Sequence, residues 1–242
     1  MGLHRRISSL YNVGTLELAA EDYPDTSGIE AAFEKAVKWL HGKRIFGAGM
    51  MQEKPVKRLV EETAAYLAKG IERGIEQSAP SEAMVASLRE SAGVFSGFKT
   101  FHEMKEAAAM LLDEQGNLKP FERFSNDVQT INAAYNKHYL KTEYAFAVQS
   151  ASMAARWEDQ RDEGEGRYLL QYRTAGDRKV RPAHQSLNGI TLPASDPFWD
   201  KYYPPNGFNC RCTVVKVRAA KYPATDSAEA MKAGDKATEG KY

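Results

Sequence analysis

The chain has 242 residues, 43% of them hydrophobic, and 33 lysines and arginines against 32 acidic residues leave a formal charge of +1. That length and apolar content can build a packed core, excluding a peptide hormone or a wholly disordered chain, and the near-neutral balance excludes a polycation that coats nucleic acid along its whole length. No stretch approaches the ~20 apolar residues of a membrane span and no signal-like run follows Met1, so no membrane contact and a cytoplasmic start are expected.

The first part reads as helical. Ile29, Phe33, Ala36, Val37 and Leu40 form one apolar stripe after Ser27 and Gly28. A second helix is expected from about Pro55 through Leu59, Val60, Leu67, Ile71 and Ile75, with Pro80 closing it. Ser81 then caps a short helix, and Thr100 with Glu103 has the capping-box pattern ahead of Met104, Ala107, Ala108 and Leu111. Gly116 and Asn117 make a turn. The strongest signal starts at the N-cap cluster Ser125, Asn126 and Asp127 and runs to Trp157, a helix over about 30 residues with apolar side chains on more than one face. Such a helix is expected to lie centrally in a core or to meet another subunit.

Around Gly164, Glu165 and Gly166 the physics changes. Arg167 to Arg218 holds nine basic and three acidic residues, a net +6, which leaves the rest of the chain at −5; five of the ten prolines fall in the same window. The expected organisation is a helical region over 1–163, a small α+β domain over 164–218 and a mobile, Ala- and Lys-rich tail over 219–242. Within that domain, Tyr168–Arg173 reads as a strand, Arg178–Leu187 as a short helix ended by Asn188 and Gly189, and Cys212–Val217 as a strand of β-branched residues. A loop rich in proline and aromatic residues, Pro193–Phe208, joins the last two. The fold class is therefore α+β.

The residues with chemistry in them are few. Cys210 and Cys212 are the only cysteines and lie too close together to staple distant parts of a fold. On an extended strand their period of two points both sulfurs to one side, where with His184 they could hold a structural zinc ion; Asp177 or water would supply the fourth ligand. The competing reading is reduced, packed thiols beside a hydrogen-bonded histidine. A Cys/His hydrolase, with Asp177 or Asn188 orienting the imidazole, or a nuclease using His184 and the arginines, is the enzymatic alternative, but no oxyanion hole is specified. A helix starting at Asp177 would place Asp177, Arg181 and His184 on one face, with the carboxylate paired to Arg181. Arg173, Arg178, Lys179, Arg181 and Arg211 interleaved with Tyr168, Tyr172, Phe198, Trp199, Tyr202, Tyr203 and Phe208 suit a phosphate backbone, although aromatics in so long a loop are needed first as its core.

Six blocks, taken in order and spacing, resemble a known family: Tyr172–Asp177, Val180–His184, Leu187–Gly189, Asp196–Trp199, Pro204–Gly207 and Cys210–Cys212. They resemble the C-terminal domain of phage Mu F-like proteins, also called phage head morphogenesis or minor head proteins, over roughly 50 residues from Tyr168 to Val217. The resemblance marks Arg173, Asp177, Arg181, His184, Asp196, Trp199, Pro205, Asn206, Gly207 and Arg211 as a structural motif. Many relatives carry a histidine where Asn206 and Gly207 stand, so an obvious fourth metal ligand is missing here. The resemblance implies a non-enzymatic minor capsid protein of a tailed phage or prophage, assembled in the host cytoplasm and carried inside the virion head. Its implied partners are the portal and capsid or scaffolding proteins, and DNA without sequence specificity.

Overall fold

The computed structural model describes residues 18, 22–76, 78–161 and 166–238. These fall into two compact units, Leu18–Arg73 with Val85–Ala147, and Gly74–Met84 with Val148 onward. The boundary expected near Gly164 lies at residues 162–165, outside those described. The fold is α+β, a helical N-terminal region followed by a small sheet with helices.

The helical unit is built from α1 (Ser27–Lys43), α2 (Lys54–Gly74), α3 (Glu82–Ala109), α4 (Phe121–Asp127), α5 (Gln129–Ala133), a π-helical turn (Ala134–Tyr139) and the start of α6 (Leu140–Arg161). The apolar stripe of α1 is buried as its spacing requires, with Phe33 and Leu40 fully enclosed. Two expectations are corrected here. First, α3 is a single helix of 28 residues, and Thr100 and Glu103 are buried in its interior. They are no cap: a spacing of three also puts two residues on one helix face. Second, Ser125–Asp127 end a helix instead of starting one. Pro120 precedes its first residue, and the chain bends at Val128, whose amide bonds to the Phe124 carbonyl at 3.1 Å.

A buried polar network crosses the apolar core of this unit. The Lys99 ammonium donates to the Tyr135 carbonyl at 2.6 Å and to Glu143 at 2.5 Å, and Asn136 donates to Glu103 at 2.6 Å. Tyr135 and Asn136 lie in the π-helical turn, where one extra residue per turn re-aims the following side chains.

In the second unit, β1 (Tyr168–Arg173) is the centre of a three-stranded antiparallel sheet, between β2 (Thr191–Leu192) and β3 (Thr213–Arg218). Leu170 faces Leu192 on one side, and Tyr172 faces Val214 on the other. These four side chains share a core with Met153, Leu187, Phe198, Trp199 and Tyr202. Two short helices complete the loops, α7 (Pro182–Gln185) and α8 (Phe198–Tyr202).

The stretch read as a mobile tail instead carries a helix, α9 (Ser227–Thr238). Its buried face is made of Ala230, Gly234 and Ala237, spaced four and three apart, too small to register as a hydrophobic pattern. The flat face seats the Tyr202 ring, whose hydroxyl donates to Asp235 at 2.5 Å, and Thr225 ties the approach to α9 onto Thr191 through its amide, at 2.8 Å. Residues 239–242 lie outside those described. A methyl group on Gly234 would fall 2.3–2.6 Å from the Tyr202 ring, which is itself fixed in the core. Gly234→Ala is therefore expected to destabilise the unit by roughly 1–3 kcal/mol, read as a lower urea midpoint. An unchanged midpoint would mean that α9 does not rest on Tyr202.

Candidate functional site

Local backbone preferences bring His184, Cys210 and Cys212 together. A residue before proline is steered away from helix, and Arg181 is accordingly extended at φ −62°, ψ 139°, so the helix begins at Pro182 and holds His184 in its single turn. On the other side of the site, Gly207 at φ +103° and Asn209 at φ +59° take left-handed conformations that fold the chain tightly. Glycine adopts that region freely and asparagine tolerates it. The Cys210 amide closes the turn onto the Gly207 carbonyl at 3.2 Å. Alternation across Arg211 then sends both sulfurs inward and the arginine outward. The strand expected from Cys212 begins one residue later, at Thr213.

The imidazole Nδ1 of His184 lies 3.6 Å from Cys210 Sγ and 3.7 Å from Cys212 Sγ. All three residues are buried, at 3%, 1% and 3% exposure. Hydrogen bonding from the Cys212 thiol, opposed by burial and helped by His184 and two backbone amides, holds the Cys210 thiol well below its ordinary range. Its neighbour is pushed the other way because it holds the proton it gives to Cys210. Burial raises the Tyr172 hydroxyl as well, beside the two sulfurs. His184 Nε2 and both polar atoms of the Asn209 side chain are buried with no hydrogen-bond partner among the described residues.

The remaining motif residues brace this cluster. Arg181 does not pair with Asp177, because Pro182 keeps 177–181 out of a helix; its guanidinium donates to the Phe208 carbonyl, fastening the loop before the cysteines. Asp177 instead takes both nitrogens of Arg211 at 2.6 Å, which removes it as a metal ligand. Asn206 donates to the Tyr172 hydroxyl at 3.1 Å and the Tyr202 carbonyl at 2.9 Å. Asp196 accepts the Phe198 amide at 2.9 Å and starts α8, while Trp199 donates to the Pro193 carbonyl at 2.9 Å. Pro205 follows a cis peptide bond. Arg173, at the end of β1, donates to Gln171 at 2.6 Å.

Tyr172, Phe198, Trp199 and Tyr202 are enclosed in the core, so they offer no stacking platform. Arg173, Arg178 and Lys179 are exposed. Neither orienting group of the hydrolase alternative reaches the imidazole: Asp177 is held by Arg211, and Asn188 accepts from the Thr174 amide and hydroxyl at 3.0 and 3.2 Å. Sequence reasoning passed over Asn209; an Asn two residues after a glycine in a tight loop is the signal that was there.

The Arg211 guanidinium beside Asp177 holds its carboxyl down at about 2, below its ordinary 3.8. Because the folded value is the lower one, whatever the pair contributes is present above pH 3.8 and fades as the pH falls toward 2. Arg211→Ala is expected to return the Asp177 titration, followed by carboxyl NMR, to the ordinary range. A titration that stays low would assign the shift to the Lys179 amide instead.

The profile of the family described as "Phage Mu protein F like protein" matches residues 64–215, from within α2 to within β3. The chain belongs to the phage Mu F-like family. Protein F of Escherichia phage Mu, named for capsid assembly, is 32% identical over 114 residues, covering 46% of this chain and 23% of that protein. The Mu-like prophage FluMu F protein of Haemophilus influenzae is 32% identical over 89 residues, covering 37% of this chain and 20% of its own length. An uncharacterized protein of Methanocaldococcus jannaschii is 46% identical over 48 residues, 19% of this chain and 7% of that protein. The chain thus spans about a quarter or less of the length of these curated relatives. No solved structure matches it.

Proposed function

We propose that this chain is a minor head protein of a tailed phage or prophage, acting in procapsid assembly at the portal and carried inside the virion head. The observation that carries the reading is the family match over 64–215, supported by relatives named for capsid assembly and for a Mu-like prophage. The geometry is in keeping with a rigid assembly part: the motif residues spend their hydrogen bonds within the small domain, Asp177 on Arg211, Arg181 on the Phe208 carbonyl, Asn206 on Tyr172 and Tyr202, and Trp199 on the Pro193 carbonyl. The exposed Arg173, Arg178 and Lys179 give the small domain a cationic edge that suits packaged DNA through phosphate contact, without reading bases. Among the described residues, no helix is long and apolar enough to cross a membrane.

The test is cross-linking mass spectrometry on procapsids purified from cells in which the encoding phage assembles. Cross-links from this chain to the portal protein are the expected result. Its absence from procapsids, or cross-links to the outer capsid surface alone, would overturn the assignment.

A further inference from the structure

We propose that His184 Nδ1, Cys210 Sγ and Cys212 Sγ bind a zinc ion, with water in the fourth position, and that this ion locks α7 to the start of β3. A zinc ion about 2.3 Å from sulfur and 2.0–2.1 Å from nitrogen at tetrahedral angles sets S···N near 3.6 Å and S···S near 3.8 Å. The two S···N separations here are 3.6 and 3.7 Å, and all three ligand atoms lie within 4.8 Å of one another. The two S···N sides thus already have the length of a zinc tetrahedron's edges, and the S···S side lies within 4.8 Å.

A purely hydrogen-bonded cluster explains this arrangement less well. With the Cys212 thiol donating to Cys210 and His184 Nδ1 carrying at most one proton or one lone pair, hydrogen bonding accounts for one S···N approach and leaves the second, nearly equal one without its own proton. A cation seated between the three atoms accounts for two nearly equal approaches at once. Two thiolates would neutralise a divalent ion in a site that is almost fully buried, where an uncompensated charge is costly. Soft sulfur with one imidazole selects zinc over the oxygen-seeking divalent cations.

Room for a fourth ligand adjoins the three. A cavity of about 10 Å³ opens beside the three ligands and is bounded further by Lys179, Val180, Arg181, Asn209 and Arg211, about the room one water molecule takes. Asn209 brings a buried carbonyl oxygen and amide that have no partner among the described residues, which is what a metal-bound water needs around it. Asp177, the ligand suggested by sequence spacing, is held by Arg211.

The test uses the full chain, purified under reducing conditions without chelator. Elemental analysis is expected to find close to one zinc per chain. Titrating Co²⁺ into the chelator-stripped, reduced chain is expected to give thiolate-to-cobalt charge-transfer absorption, with visible bands of tetrahedral intensity, saturating at one equivalent and displaced by Zn²⁺. His184→Ala should weaken cobalt binding at least tenfold, and Cys210→Ser with Cys212→Ser should abolish the charge-transfer band. If the double variant does not fold, the unsubstituted chain still decides: no zinc as purified and no charge-transfer band at excess Co²⁺ would overturn the proposal. Metal bound undiminished in a folded double variant would overturn it as well, by placing the ion elsewhere.

Discussion

Trp199→Ala is expected to destabilise the C-terminal unit severely. The indole is 2% exposed, packs edge-on against Phe198 at 5.0 Å between ring centroids, and donates to the Pro193 carbonyl. Removing a buried ring of this size costs about 3–5 kcal/mol, a large share of the ~5–15 kcal/mol that holds a domain together. The loss should be local in its origin. Trp199 sits in the helix that carries Tyr202, and Tyr202 in turn seats α9 and receives Asn206 on its carbonyl. Near-ultraviolet circular dichroism followed through a urea titration reads the effect. A shift below about 1 kcal/mol would mean that the aromatic loop is not the core of this unit.

The second large effect concerns pH. Burial raises the Glu103 carboxyl from 4.5 to about 8, against the pull of Lys99 and of the Asn136 amide. A carboxyl whose folded value is the higher one keeps its proton in the native state while the unfolded chain has lost it, so stability falls as the pH rises from 4.5 to about 8. Glu103→Gln removes that proton exchange and keeps a neutral group of the same shape, able to accept from Asn136. The variant should match the parent near pH 4.5 and exceed it by roughly 3–5 kcal/mol at pH 8. Urea unfolding at the two values measures the difference. Equal stability of parent and variant at both would show that Glu103 titrates in the folded chain as it does unfolded, and lower stability of the variant at pH 8 would show that Lys99 holds it ionised.

Where side chains are large and periodic, the sequence was a good guide. The stripe from Ile29 to Leu40 and the β-branched run after Cys212 became the helix and strand their periods imply. The failures have physical causes. Thr100 and Glu103 look like a cap because a capping pair and two buried residues on one helix face share the same spacing; only the tertiary partner Asn136, which donates to Glu103, tells them apart. Helix α9 was illegible because alanine and glycine bury little area, and its anchor is a tyrosine 32 residues away in sequence. At the candidate site, the pairing of Cys210 with Cys212 and the relevance of His184 could be read from spacing. The Asp177–Arg211 ion pair could not, since it depends on Pro182 stopping a helix and on two left-handed residues turning the loop.

A role in head morphogenesis is tested at the head itself. The encoding phage or prophage is induced with the gene intact, deleted, and deleted with the chain supplied in trans, and DNA-filled heads are counted by electron microscopy and assayed by protein mass analysis. Deletion is expected to leave few or no filled heads, supply in trans to restore them, and the restored heads to contain the chain in a small copy number. Normal numbers of filled heads without the gene would contradict a role in head morphogenesis.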